Sequence, residues 1–178
     1  AARGQVVSGN YGLALALGAT GDLRSAADAI SQAIVAVSKE PADVIKGSYY
    51  LWNQQSVILR ASGNYPQALA AIGKAIALEP SDLTLRNERA ATLSGSGNKL
   101  AAIEEYNFII SKQPETYTYY NRGLAKYQLG QKQAALQDYE RAIALNPQDA
   151  LAYNNRGLVK YQLGQKQAAL QDYERATA

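Results

Sequence analysis

Carboxylates are the main candidates for acid–base chemistry in this chain, because histidine, cysteine and methionine are all absent. Glu104 and Glu105 are adjacent, and Asp138/Glu140 and Asp172/Glu174 are two residues apart. On a helix each step turns a side chain by about 100°, so none of these pairs faces its own partner. Without Cys or His, thiol nucleophiles, disulfides, imidazole bases and the usual zinc sites are excluded. Gly95-Ser96-Gly97 and Gly18-Ala19-Thr20-Gly21 are glycine-rich, but neither follows a strand or carries a phosphate-loop lysine. Both read as turns between helices. Asn10, Asn53, Asn64, Asn98, Asn107 and Asn155 open no glycosylation motif. The expectation is a chain with no catalytic residues, no cofactor and no metal, and no enzyme activity.

Something must still position the side chains that remain. The chain has 178 residues, 47% hydrophobic and 19% charged, which is the balance of one folded domain. The net charge of +3 is too diffuse to imply a nucleic-acid partner. No run reaches the roughly 18 consecutive apolar residues of a membrane helix. The best, Leu13 to Ala19, is short and alanine-rich. The chain opens on Ala1-Ala2 without an initiator Met or a signal peptide, as expected of a processed protein or an excised piece. Cytoplasm and an exported compartment fit it equally.

Internal repetition organises the sequence. Residues 122–143 read RGLAKYQLGQKQAALQDYERAI and residues 156–177 read RGLVKYQLGQKQAALQDYERAT, at an offset of 34. Weaker copies run backwards from these. Gly130 and Gly164 correspond to Gly97, Gly63 and Gly21; Ala135 and Ala169 to Ala102, Ala68 and Ala26. Tyr139 and Tyr173 correspond to Tyr106, Ile72 and Ile30, and Pro147 to Pro114 and Pro80. The units span about 7–48, 49–82, 83–115, 116–149 and 150–178, the last stopping short of its proline. Together they make a single array over 1–178.

Each unit reads as two helices. In 116–149 the first runs from Tyr117 to Leu129 and stops at Gly130, which suits a left-handed C′ position. The second runs from about Lys132 to Leu145, with Ala135, Leu136, Tyr139, Ala142 and Ile143 on one stripe, and Asn146-Pro147 ends it. Gly123, Gly157 and Ala90 sit mid-helix, where glycine costs about 1 kcal/mol against alanine. That cost is explained if a neighbouring helix packs close.

The units resemble tetratricopeptide repeats of bacterial type. The match rests on Trp52, Ser56, Gly63, Ala68, Ala75 and Pro80 in one unit, and on Tyr119, Gly123, Gly130, Ala135, Tyr139, Ala142 and Pro147 in another. It covers residues 7 to 178. Lys126 and Lys160 depart from the pattern, standing where an aromatic or leucine is usual, and Arg89, Arg122 and Arg156 stand where leucine is usual. The first unit lacks the leading aromatic and the proline and has about eight extra residues near Lys39–Ser48, so its helices are expected to be longer. The resemblance implies an all-α fold, a right-handed α-solenoid of about five helix–turn–helix units.

A comparison among the units adds a feature of this chain alone. Where the first helix has Arg89, Arg122 or Arg156, the second has Glu105, Asp138 or Asp172 sixteen residues on. Where it has Leu13 or Gln55, the partner is Ala29 or Ala71. Charge is present on both sides or on neither, which predicts an Arg–carboxylate pair between the two helices of a repeat.

The resemblance also implies that first helices line a concave surface. Four rows fall there: Asn53, Asn87, Tyr120 and Asn154 with Tyr11; Ser8, Tyr50, Thr84, Tyr117 and Leu151; Leu15, Val57, Ala91, Leu124 and Leu158; and Arg60, Ser94, Tyr127 and Tyr161. Asparagine amides suit a peptide backbone and tyrosine gives rigid amphipathic area. The family's carboxylate-gripping Lys and Arg positions hold Asn, Tyr, Thr and Leu here, which argues against that mode. The expected function is a scaffold that binds an extended peptide or helix of a protein partner, used in complex assembly. A regulatory or oligomerisation module of a larger protein is the alternative, and an RNA-binding repeat fits less well. Leu170, Tyr173 and Ala176 would lie uncovered on the last helix, which allows a homo-oligomer through that edge. Nucleic acid and membrane insertion are not expected.

Overall fold

The computed structural model describes residues 2–177, with side chains from Gly4 onward. Eleven helices and no strand occur among the described residues. They fall into two compact units, Ala1–Ser96 and Gly97–Ala178. The first holds α1 (Ala2–Ala19), α2 (Leu23–Val37), α3 (Ala42–Gly47), α4 (Tyr49–Ala61), α5 (Tyr65–Leu78) and α6 (Leu83–Gly95). The second holds α7 (Lys99–Lys112), α8 (Thr116–Gln128), α9 (Lys132–Leu145), α10 (Ala150–Gln162) and α11 (Lys166–Thr177).

Local chemistry sets the helix ends. Every positive φ among the described residues belongs to glycine at the same repeat position, such as Gly130 at 75°. There the chain reverses, and the Gln131 N–H donates to the Lys126 carbonyl at 2.9 Å, wrapping the end of α8. Aspartate starts several helices. Asp149 accepts from the backbone N–H groups of Leu151 and Ala152 at 3.1 Å, and Asp82 from that of Thr84 at 2.8 Å.

The extra residues of the first repeat are used differently from expectation. α1 is long, at 18 residues, but the segment near Lys39–Ser48 does not lengthen α2. It turns at Pro41 and forms the separate six-residue α3. Proline disfavours helix at the residue before it and itself has no N–H, so α2 cannot run through. Gly95, read from sequence as part of a turn, is the last residue of α6.

In the first unit α1/α2 and α4/α5 pack as hairpins, and α6 lies against α4 and α5. Ile30, Ile72, Leu51 and Leu85 fill the core, and Trp52 closes it. In the second unit α8/α9 and α10/α11 are hairpins, with α7 packed on α8 and α9 on α10. The second-helix row Ile30, Ile72, Tyr106 and Tyr139 is buried throughout, at 0–2% exposure, while Tyr173 is only half-buried. Alanines at Ala26, Ala68, Ala102 and Ala135 are fully buried.

Candidate functional site

First helices lie side by side within each unit. Their exposed rows carry the candidate residues.

In the first unit the Tyr50 ring meets Tyr11 edge-on, with centroids 5.0 Å apart, so Tyr50 is half-buried rather than free. Val57 is half-buried beside it on α4. Arg60 is held by Glu88 of α6, through Nε to Oε1 at 2.9 Å and Nη2 to Oε2 at 3.1 Å. Ser56 and Thr92 also donate to Glu88 Oε1, each at 3.3 Å. Arg60 therefore ties α4 to α6. Asn53 and Asn87 occupy the same repeat position on α4 and α6. Each turns its amide oxygen away from solvent, and neither oxygen accepts a hydrogen bond.

In the second unit Tyr117 is 58% exposed and Tyr161 56%. Asn154 is exposed, and Leu124 and Leu158 are half-buried. Tyr120 and Tyr127 are half-buried, and their hydroxyls take bonds from the next repeat. Asn155 Nδ2 donates to the Tyr120 hydroxyl at 3.0 Å and Gln162 Nε2 to that of Tyr127 at 2.6 Å. Burial pushes the Tyr120 pKa up, against the lowering effect of the Asn155 bond. These two rings thus join α8 to α10 and pack against the core of the second unit.

In the second unit a buried charge cluster lies between the helices of the α8/α9 hairpin and another between those of the α10/α11 hairpin. Arg122 binds Asp138 through Nε to Oδ2 at 2.9 Å and Nη2 to Oδ1 at 2.6 Å. Arg156 binds Asp172 in the same bidentate way, at 2.8 and 2.6 Å. The guanidinium of Arg122 also stacks over Tyr119, and that of Arg156 over Tyr153, at 5.4 and 5.3 Å. Arg89 on α6 and Glu105 on α7 belong to different units, and their pairing stands as the expectation stated above.

Sequence reading missed the third member of each cluster. Lys126 Nζ lies 2.8 Å from Asp138 Oδ2, and Lys160 Nζ 2.8 Å from Asp172 Oδ2. The signal was present. Each lysine stands four residues after the arginine, on the same helix face, and only in the two units that carry aspartate. The Arg60–Glu88 tie was legible in no spacing rule, because it joins neighbouring repeats whose sequences have diverged.

Among the described residues, the adjacent and alternate carboxylate pairs do not converge into a site. Glu104 and Glu140 are exposed on their helices. Among the described residues no three His, Cys, Asp or Glu side chains gather to hold a metal ion. None of the described helices is long and apolar enough to cross a membrane.

Two repeat-family models match the sequence, one described as tetratricopeptide repeat over residues 54–115 and one as TPR repeat over 123–164. No curated protein matches it. Among solved structures, MamA from Desulfovibrio magneticus RS-1 aligns at 16% identity and a TM-score of 0.77, over 97% of this chain and 93% of that one. A tetratricopeptide repeat protein from Parabacteroides merdae aligns at 23% identity and 0.78, over 97% and 66%. PilW, described as a widely conserved type IV pilus biogenesis factor, aligns at 19% and 0.78, over 97% and 78%. At these identities the likeness is one of fold.

Proposed function

The chain belongs to the tetratricopeptide-repeat family, whose members are protein-interaction scaffolds, and from that premise we propose that it holds an extended peptide or helix of a partner protein on its first-helix face during complex assembly. Asn53 and Asn87 carry this reading. A shielded amide oxygen without a hydrogen bond costs about 1–3 kcal/mol. Two such oxygens recur at one repeat position. Because the oxygens hold no internal bond, either amide turns to meet a peptide N–H at little loss, and its NH₂ donates to a peptide carbonyl. Tyr117, Asn154, Leu158 and Tyr161 extend the same chemistry in the second unit, with half-buried Tyr50, Val57 and Leu124 supplying apolar floor.

Nucleic acid is not the occupant in this reading. Arg60, Arg122, Lys126, Arg156 and Lys160 lie on these helices, and each has a carboxylate within 2.6–2.9 Å. Phosphate contacts would have to break those pairs.

The test is affinity capture from the native source. Wild type is compared with a variant carrying Asn53→Ala, Asn87→Ala, Tyr117→Ala and Asn154→Ala. Tyr120 and Tyr127 are left intact because their hydroxyls join helices. The captured partner should bind the variant at least about tenfold more weakly, while circular dichroism stays unchanged. Equal affinity would sink the assignment of this face.

A further inference from the structure

The near-identity of the last two repeats makes the molecule its own control. Leu136 is 7% exposed and its counterpart Leu170 is 49% exposed. Tyr139 is fully buried, and Tyr173 half-buried. Tyr127 is half-buried, and Tyr161 is 56% exposed. Side chains and local helices are the same, so the difference is the footprint of α10. That helix lays Val159 against Ala135, Leu136 and Tyr139, and Ala152 against Ala142 and Ile143. The face formed by α10 and α11 is therefore already shaped for a helix with small or β-branched residues seven apart.

Other first helices bury the same two repeat positions. Leu51/Ile58, Leu85/Thr92, Thr118/Ala125 and Ala152/Val159 stand seven apart, and all eight are buried. α1 carries the same positions as Gly9 and Ala16, and both are exposed. Around them Val6, Gly12, Leu13 and Ala19 are exposed too, with Val6 at 48% and Leu13 at 50%. The six residues include no charge and no hydrogen-bonding side chain. A helical array that ends in water normally presents polar residues there. Nothing lies within 4 Å of a Cβ placed on Gly9 or Gly12, so this side of α1 leaves room for bulky neighbours.

We propose that the 178-residue chain associates head to tail, the α1 face of one copy docking on the α10–α11 face of a second. Ala16 takes the place of Val159, over Ala169, Leu170 and Tyr173, and Gly9 takes that of Ala152, over Ala176. Leu170 and Tyr173 are the bulky side, and Gly9, Gly12 and Ala16 the open side. The occupant is a second copy because the receiving face is a duplicate of one that already binds a helix of this chain, and because the free helix in matching register is α1. The two patches differ, so each contact leaves one head and one tail free to take further copies. The residues named for the contact carry no charge, so the association should change little between low and moderate salt.

Sedimentation equilibrium on the 178-residue chain tests this, from about 10 µM to about 1 mM. Average mass should rise with concentration and pass the dimer without a plateau. Ala16→Glu removes the head and keeps the tail; Leu170→Glu removes the tail and keeps the head. Each variant alone should stay monomeric. Mixed in equal amounts they should form a dimer and go no further, which also shows that both fold. A monomeric wild type, a mass ceiling at the dimer, self-association of either variant alone, or a mixture that stays monomeric would each overturn the proposal. Both variants keep the first-helix face, so partner capture by Leu170→Glu stays at the wild-type level whichever way the sedimentation result falls.

Discussion

A methyl group at Gly123 would sit 2.9 Å from Cε1 of Tyr139 and 3.2 Å from Cβ of Asp138. That contact explains a mid-helix glycine that propensity alone disfavours. Gly123→Ala should gain about 1 kcal/mol of helix propensity and lose more to overpacking, for a net destabilisation of about 1–2 kcal/mol by urea titration. Gly157 faces Tyr173 at 3.0 Å, but that ring is half-buried and can yield, so Gly157→Ala should cost less. Gly73 has nothing within 4 Å, and Gly73→Ala should stabilise by about 0.5–1 kcal/mol. An equal effect at all three sites would refute the packing account. Tyr139 itself is a second test. Its hydroxyl is buried without a hydrogen bond, and burial pushes its pKa well above that of a free tyrosine. The folded state therefore favours the neutral phenol. That preference is whole below about pH 10 and turns into an alkaline loss of stability as pH rises toward the folded-state value. Tyr139→Phe should leave neutral-pH stability unchanged or raise it by up to about 1 kcal/mol, and should soften the alkaline loss.

Between elements, the buried clusters tie α8 to α9 and α10 to α11. Burial alone would push the Asp172 carboxyl up, but hydrogen bonds from Arg156 and Lys160 outweigh it and hold its pKa below the usual carboxylate range. The Asp172 bond in turn raises the Arg156 pKa. Because the folded pKa is the lower one, the contribution of Asp172 is complete above about pH 4 and fades as pH falls to the folded value. Asp172→Asn should cost about 2–4 kcal/mol at neutral pH and flatten the acid limb of stability against pH. An acid limb identical to wild type would show that the carboxylate contributes nothing there. Replacing Arg156, Lys160 and Asp172 together by apolar residues should cost less than Asp172→Asn alone, since a lone buried charge is worse than none. The arginine–aspartate spacing was readable because both partners recur sixteen residues apart. Each lysine departs from the repeat pattern, and the fold brings α8 to α9 and α10 to α11 closely enough for it to reach the same carboxylate.

At the scale of the whole molecule, α9 and α11 are the same sequence in two settings. α9 is covered by α10, while Leu170 and Tyr173 on α11 are open. In a repeat array stability comes largely from such neighbour contacts. Amide exchange at dilute concentration should therefore be faster in α11 than in α9, although intrinsic propensities are equal. Equal protection would mean that the covering helix adds nothing. The same contrast limits what the candidate binding face is. Tyr120 and Tyr127 belong to the candidate rows and also accept bonds from Asn155 and Gln162, so truncating either would disturb the joint between repeats as well as the proposed face. The four-residue variant proposed above avoids those joints for that reason.

Periodicity by itself determined the repeat, its two helices, the glycine reversals and the apolar stripes, because helix phase and turn conformation are local properties of residue type and spacing. It also identified the close approach at Gly123, since a glycine kept in a helix needs a neighbour to explain it. Only the tertiary structure decided that Arg60 is bound by Glu88, and that the hydroxyls of Tyr120 and Tyr127 are taken by Asn155 and Gln162 of the next repeat. Those outcomes depend on distances between segments far apart in sequence, and once repeats diverge no single spacing encodes such distances.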